Sequence, residues 1–218
     1  MKKIIIMFMV ALLSLQIIHG QGAITYLSNL GQSSASSDTI GSDSWLAVLF
    51  VTGGNAGGYF LNSIQLGMTD ASGNPNGFTA MLYAHDPSNL AGISPGSSLG
   101  TFNGSTDPAT GGIFNYTAIA NMALSANTPY FIVLTAGTTI ANGTYQWSLA
   151  GINSYNPSGG WHSSGGVLTS NNGSSWSFNP IVAQFAINAT PIPEPGILSL
   201  FSLGGLGFLR YRRKAKAD

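Results

Sequence analysis

The sequence has no cysteine, and from residue 24 to residue 190 it has no lysine, arginine or glutamate. Each absence removes a class of chemistry. Without cysteine there is no disulfide framework, thiolate metal site, cysteine nucleophile or lipid-modified N-terminal cysteine. A body without a single cation cannot neutralise phosphates, which excludes nucleic-acid binding by counterion release and takes away the usual Lys or Arg clamp of phosphoryl transfer. Charged residues make up 6% of the chain, against roughly 25% in an ordinary soluble domain. The formal net charge of zero also conceals segregation. Lys2 and Lys3 give +2 at the start, while Asp38, Asp43, Asp70, Asp86 and Asp107 give −5 in the middle. Arg210, Arg212, Arg213, Lys214 and Lys216, set against Glu194 and Asp218, give +3 at the end.

What is present is ample apolar residue, 44% of 218, and 29 glycines. That suffices for one domain of about 100–200 residues with appendages. The appendages are legible at both ends. Residues 1–22 combine Lys2 and Lys3, an apolar run from Ile4 to Leu15, and small residues at Gly20 and Gly22. A positive n-region, a short h-region and a small-residue cleavage zone define a secretory signal peptide, here a signal helix cleaved after Gly20 or Gly22 once the secretion translocon has taken the chain.

Residues 191–218 have three parts. Pro191, Pro193, Glu194 and Pro195 form a hinge that cannot be helix interior. Residues 196–209 (GILSLFSLGGLGFL) are a short apolar helix, and Arg210, Arg212, Arg213 and Lys214 are a basic stop-transfer cluster that stays cytoplasmic. Fourteen apolar residues cover only about 21 Å of a hydrocarbon core of about 30 Å, so the helix suits transient anchoring better than permanent anchoring. This tail resembles the PEP-CTERM sorting signal: Ile192-Pro193-Glu194-Pro195, with Ile where the pattern usually has Val, then the glycine-bearing helix, then the basic end. The resemblance implies a Gram-negative host with an exopolysaccharide-rich exterior, transient anchoring in the inner membrane, and processing by an exosortase-type membrane enzyme with Pro193, Glu194 and Pro195 as the sorting motif.

Residues 24–190 read as all-β. Runs rich in Val, Ile, Phe, Tyr, Trp and Thr alternate with Gly, Asn, Ser and Pro clusters. Strands are expected at 45–52, 59–69, 78–85, 112–118, 130–136, 144–150, 166–169 and 181–188, with long loops over 86–111 and 153–165. Ile64, Leu66 and Met68 alternate with Gln65, Gly67 and Thr69, and Ala183, Phe185 and Ile187 with Gln184 and Asn188. About eight antiparallel strands suit a β-sandwich or jelly-roll-like domain. The stretches WLAVLFVTGG from Trp45, YFLNSIQL from Tyr59, LSANTPYFIVL from Leu124 and NGSSW from Asn172 resemble a choice-of-anchor extracellular domain of the R type, a class that implies no transferable activity.

Chemistry in the body is sparse. Asp70 and Asp86 are the carboxylate pair nearest to a glycosidase arrangement, but their Gly and Pro neighbours favour solvated turns. Gly96-Ser97-Ser98-Leu99-Gly100 fits the nucleophile-elbow spacing, yet no helix follows it. Residues 70–76 lack the second carboxylate and terminal Glu of a calcium loop. Trp161 and Trp176, read as exposed in Gly/Ser-rich segments, are the candidates for stacking on sugar rings; packing in the core or between sheets is the favoured alternative for both. Asn103, Asn115, Asn142, Asn172 and Asn188 each begin an Asn-x-Ser/Thr triplet, read as a product of composition. The expectation is an exported, non-enzymatic surface or extracellular-matrix protein associated with exopolysaccharide, with no catalytic residue, metal or cofactor. Second is a carbohydrate-binding module, and third a secreted hydrolase using Ser98, His85 and Asp70. After removal of both ends, the body keeps its five Asp, so isoelectric focusing should place it well below the 6.8 of the whole chain. A value near 6.8 would contradict that processing.

Overall fold

Thirteen strands cover most of the body, and each is antiparallel to its neighbours. The computed structural model describes residues 22–88, 94–104, 106–151 and 155–194, and among them there is no helix. The expected signal helix and C-terminal helix lie outside the described residues. Residues Ala23–Pro191 form one compact unit.

Its sheet is continuous and curls into two layers. One layer runs β1 (Ile24–Ser28), β13 (Phe185–Pro191), β4 (Tyr59–Gly73), β7 (Gly112–Leu124), β6 (Pro95–Gly104). The second runs from β6 through β5 (Thr79–His85), β8 (Pro129–Thr135), β3 (Trp45–Val51) and β10 (Val167–Ser170) to the short edge strand β11 (Ser177–Asn179). The corner is β6, whose Phe102–Gly104 end pairs β7 while Pro95 to Thr101 pair β5. The far half of β4 pairs β9 (Gly143–Ala150), which also carries β2 (Ser34–Ile40) and β12 (Val182–Ala183).

Inward alternation fills the space between the layers. Ile64, Leu66 and Met68 face Val48, Phe50, Leu82, Ile132 and Leu134, all buried. A second, smaller cluster, Ala47, Leu49, Met81, Phe131, Val133 and Leu168, sits on the outer face of the second layer under Trp45, Tyr83 and Trp176.

Two places depart from the expected strands. The single strand expected over 181–188 is broken at Gln184, which is 5% exposed. There the carbonyl of Gln184 accepts Gly67 N–H (3.0 Å) and the Trp147 indole N–H (3.0 Å), so β12 can turn to β9 and β13 to β4. Asn29 holds both sides of the break: its Nδ2 donates to the Ala183 carbonyl (2.9 Å) and its Oδ1 accepts Phe185 N–H (2.8 Å). The loop expected over 86–111 contains β6. β1, β2 and β11 also lie where no strand is expected.

The segment after residue 155 is a strap over the edge of the first layer. Asn156 N–H donates to Ser28 O (2.7 Å) and Ser158 N–H to Tyr26 O (2.8 Å), while Val51 and His162 exchange backbone bonds at 2.8 and 3.1 Å. Gly159 and Gly160 have φ of 58° and 80°, a left-handed pair that turns the chain and drives Trp161 into the core. Gly53 lies under that turn, where a Cβ would stand 1.8 Å from the Gly159 carbonyl oxygen.

Trp161→Ala should therefore lower unfolding free energy by about 3–5 kcal/mol, as large-to-small core changes do. Gly53→Ala should also destabilise, because two backbone segments would have to part. Denaturant midpoints check both. A change within about 0.5 kcal/mol, the range of ordinary surface substitutions, would mean that the strap does not close the core.

Candidate functional site

Of the residues expected to act in sorting, Pro193 and Glu194 are described, and both are exposed just beyond β13. Pro191 ends that strand opposite Tyr59; proline has no N–H to continue a ladder. Pro195 and the cluster of Arg210, Arg212, Arg213 and Lys214 lie outside the described residues.

All five aspartates of the body accept hydrogen bonds: four hold turns or connections, and Asp38 bonds its own neighbour within β2. Asp38 Oδ1 accepts Thr39 N–H at 2.9 Å, Asp43 Oδ1 accepts Ile140 N–H at 2.8 Å, and Asp70 Oδ1 accepts Gly111 N–H at 2.7 Å. Asp86 Oδ1 accepts both the N–H (2.9 Å) and the hydroxyl (2.7 Å) of Ser88, which holds its carboxyl below the usual carboxylate range. Asp107 Oδ2 accepts the Tyr145 hydroxyl at 2.7 Å. Asp70 and Asp86 are thus committed to different partners. Among the described residues no group of three or more His, Asp or Glu is arranged to hold a metal ion.

The nucleophile-elbow spacing falls inside extended β6. Ser98 is exposed opposite Tyr83, and His85 lies opposite Pro95. A strained strand-to-helix turn, which the elbow needs, is absent at Ser98. His162 is spent on the strap through its backbone.

Trp161 is closed to sugars and takes the packing alternative instead. Far from being exposed, it is 1% accessible, stacked on Tyr26 (4.9 Å between centroids) and Phe50 (5.8 Å), with Tyr59 edge-on at 4.9 Å. A ring with aromatic neighbours on both faces cannot take a sugar. Trp176 is half-buried against the outer cluster, its indole N–H without an acceptor among the described residues.

Burial also acts on the tyrosines under the β6–β7 corner. It raises the phenol of Tyr116 well above its usual value, helped by the negative charge of Asp107, and that of Tyr145, helped by the hydrogen bond to Asp107. Phe78 packs between them, 5.3 Å from Tyr116 and 5.2 Å from Tyr145. Under the strap, burial pushes Tyr155 up to about 12.

A feature that the sequence reading missed is on the outer face of the first layer. Thr25, Asn188, Ser63, Thr117 and Asn103 are directly opposite one another on β1, β13, β4, β7 and β6. They make one polar row across five strands, about 19 Å long at ~4.8 Å per strand. Thr25 donates to Asn188 Oδ1 (2.6 Å), Asn188 Nδ2 to Ser63 Oγ (3.0 Å), and Thr117 to the Asn103 carbonyl (3.3 Å). Gln65 and Asn115 are paired alongside. Phe60, 37% exposed, and Ile113 and Ile119, 59% and 56%, stand around the row. At its β6–β7 end, Thr101 and Ile119 lead into an open hollow of about 380 Å³ with Leu99 and Met122. The signal for this face was in the sequence: Asn-x-Thr at 115–117 and 188–190 repeats with the strand's own period of two, so both residues of each triplet project together.

Comparison with protein families matches residues 191–214 to the PEP-CTERM protein-sorting motif. No curated protein and no solved structure matches the chain. The motif implies an exported protein of the Gram-negative cell envelope, sorted and processed through exosortase, a membrane enzyme. The choice-of-anchor likeness of the body gains no support from these comparisons.

The raised phenols set an alkaline limit to stability. Unfolded tyrosines lose their proton near pH 10, whereas Tyr155 holds its proton to about 12 and Tyr116 and Tyr145 hold theirs higher still. The contribution of these buried neutral phenols is complete below about pH 10 and is lost as pH rises through the folded values. The urea midpoint should fall between pH 9 and pH 12, with tyrosinate absorbance rising at the unfolding step. An unchanged midpoint would contradict the burial.

Proposed function

We propose that the chain is an exported, non-enzymatic surface protein that is held briefly in the inner membrane by its C-terminal apolar segment, cut beside Pro193, Glu194 and Pro195, and left in the exopolysaccharide layer. The match at residues 191–214 carries this reading. Its physical logic follows from the order of the tail. The cations at 210–214 resist translocation, the short apolar segment halts the chain, and the proline-rich stretch keeps the cut site extended and outside the helix. Once the cut is made, the membrane-directing cations stay behind and the body leaves with acidic groups alone.

The absence of enzymatic activity is supported by the aspartates. Every one of them accepts a hydrogen bond within the body, four of them across a turn or a connection, and the Ser98 spacing sits in an extended strand. Such a body offers a surface rather than a reactive centre.

Removing residues 193–218 should change where the protein accumulates in fractionated cells, and Pro193→Ala with Glu194→Ala should leave an unprocessed chain in the membrane fraction. Mass spectrometry of the wild-type product should find a C-terminus near Pro195. Unchanged distribution of the deletion variant would sink the reading.

A further inference from the structure

We propose that the outer face of the first layer, the row Thr25, Asn188, Ser63, Thr117 and Asn103 with Gln65 and Asn115 beside it, is a docking surface for an uncharged polysaccharide chain lying across the strands. The proposal deepens the function above by naming the partner class, and it rests on that reading only for where the two would meet.

The chemistry of the face selects this occupant. Its side chains are hydroxyls and amides, which both donate and accept, as sugar hydroxyls do. None of them is ionisable, and no Lys or Arg occurs anywhere from residue 24 to residue 190. An acidic polymer would therefore find no cation and would meet the repulsion of five aspartates. A basic polymer would find no carboxylate in the row. The repeat of the surface also fits: successive strands place a polar side chain every ~4.8 Å, about the length of one sugar ring in an extended chain. Phe60, Ile119 and Ile113 supply apolar surface beside the polar row, which suits the C–H faces of the rings.

The row is held in position before any ligand arrives. Thr25, Asn188 and Ser63 are hydrogen-bonded in sequence, which fixes the Asn188 amide, and the β13–β4 and β4–β7 ladders beneath the middle of the row are the longest in the first layer. Asn103, Asn115 and Thr117 are exposed toward the β6 side. Ordered side chains on a rigid sheet lose little freedom on binding, so hydrogen bonds to each successive sugar can add.

The test is affinity electrophoresis of the full chain in a polyoxyethylene detergent, which carries no sugar, through native gels containing hydroxyethylcellulose or alginate. Retardation is expected in the neutral polymer, and whatever retardation alginate gives through the basic cluster at 210–214 should be unchanged in the row variants. Asn103→Ala combined with Asn115→Ala should weaken the retardation about tenfold, the equivalent of two modest hydrogen bonds. Both positions point outward, so the thermal midpoint should stay within a few degrees of wild type, and Thr117→Ala provides a second variant should the pair misfold. Trp176→Ala should leave binding intact. Equal mobility in gels with and without hydroxyethylcellulose, retardation by alginate that the row variants weaken, or loss through Trp176→Ala with the row variants unaffected would each overturn the assignment. Sorting is read separately in fractionated cells, so failure of this surface and failure of the sorting reading are told apart.

Discussion

Polar groups buried in this body have no Lys or Arg to pair with, because residues 24–190 contain none. The clearest case is Asn29, 1% exposed, whose side-chain amide takes the place of a missing strand by bonding both Ala183 and Phe185. That one amide lets the chain change partners at Gln184 without leaving a buried carbonyl or N–H unpaired, a defect that would cost about 1–3 kcal/mol. β12 is thereby free to reach β9 while β13 stays on β4, and the first layer widens to include β9 and β2. The aspartates obey the same rule at the surface, each taking a backbone N–H or a hydroxyl. In a fold so short of charge, carboxylates serve as turn clamps.

How much of this was legible depended on whether a residue's own pattern or its neighbours decided its place. β3 (WLAVLFV) and β8 (PYFIVLT) are dense in β-branched and aromatic residues and lie within a residue or so of where periodicity puts them. β2 (SASSDTI) and β6 (PGSSLGTFNG) are mostly Ser, Gly and Ala; they are strands because β9 and the β5–β7 corner supply ladders for them. Propensity is silent where pairing alone makes the strand. The break at Gln184 was hidden for a related reason. The alternation of Ala183, Phe185 and Ile187 continues through it with every member buried, so the side-chain pattern does not register that the backbone has changed partners.

Trp161 shows the opposite case. Its Gly and Ser neighbours are those of an exposed loop, and the segment is indeed without regular structure; yet the glycines are there to make the bend that buries the ring. Composition identified the loop, and only packing shows that the loop carries a piece of the core. The sorting tail is the reverse, since its information lies in the order of proline, apolar and basic residues along the chain and needs no partner to be read.

The pairing of Ile24 with Ala189 puts the first residues of β1 beside the last of β13, at one end of the same ladder. Tension applied between those two points does not shear the pair, which would load all its hydrogen bonds at once; it opens the ladder from Ile24 one bond at a time. Tension on Pro191 alone loads the β13–β4 ladder instead, beginning at Tyr59. Both ladders of β13 therefore open from its C-terminal end, one hydrogen bond at a time.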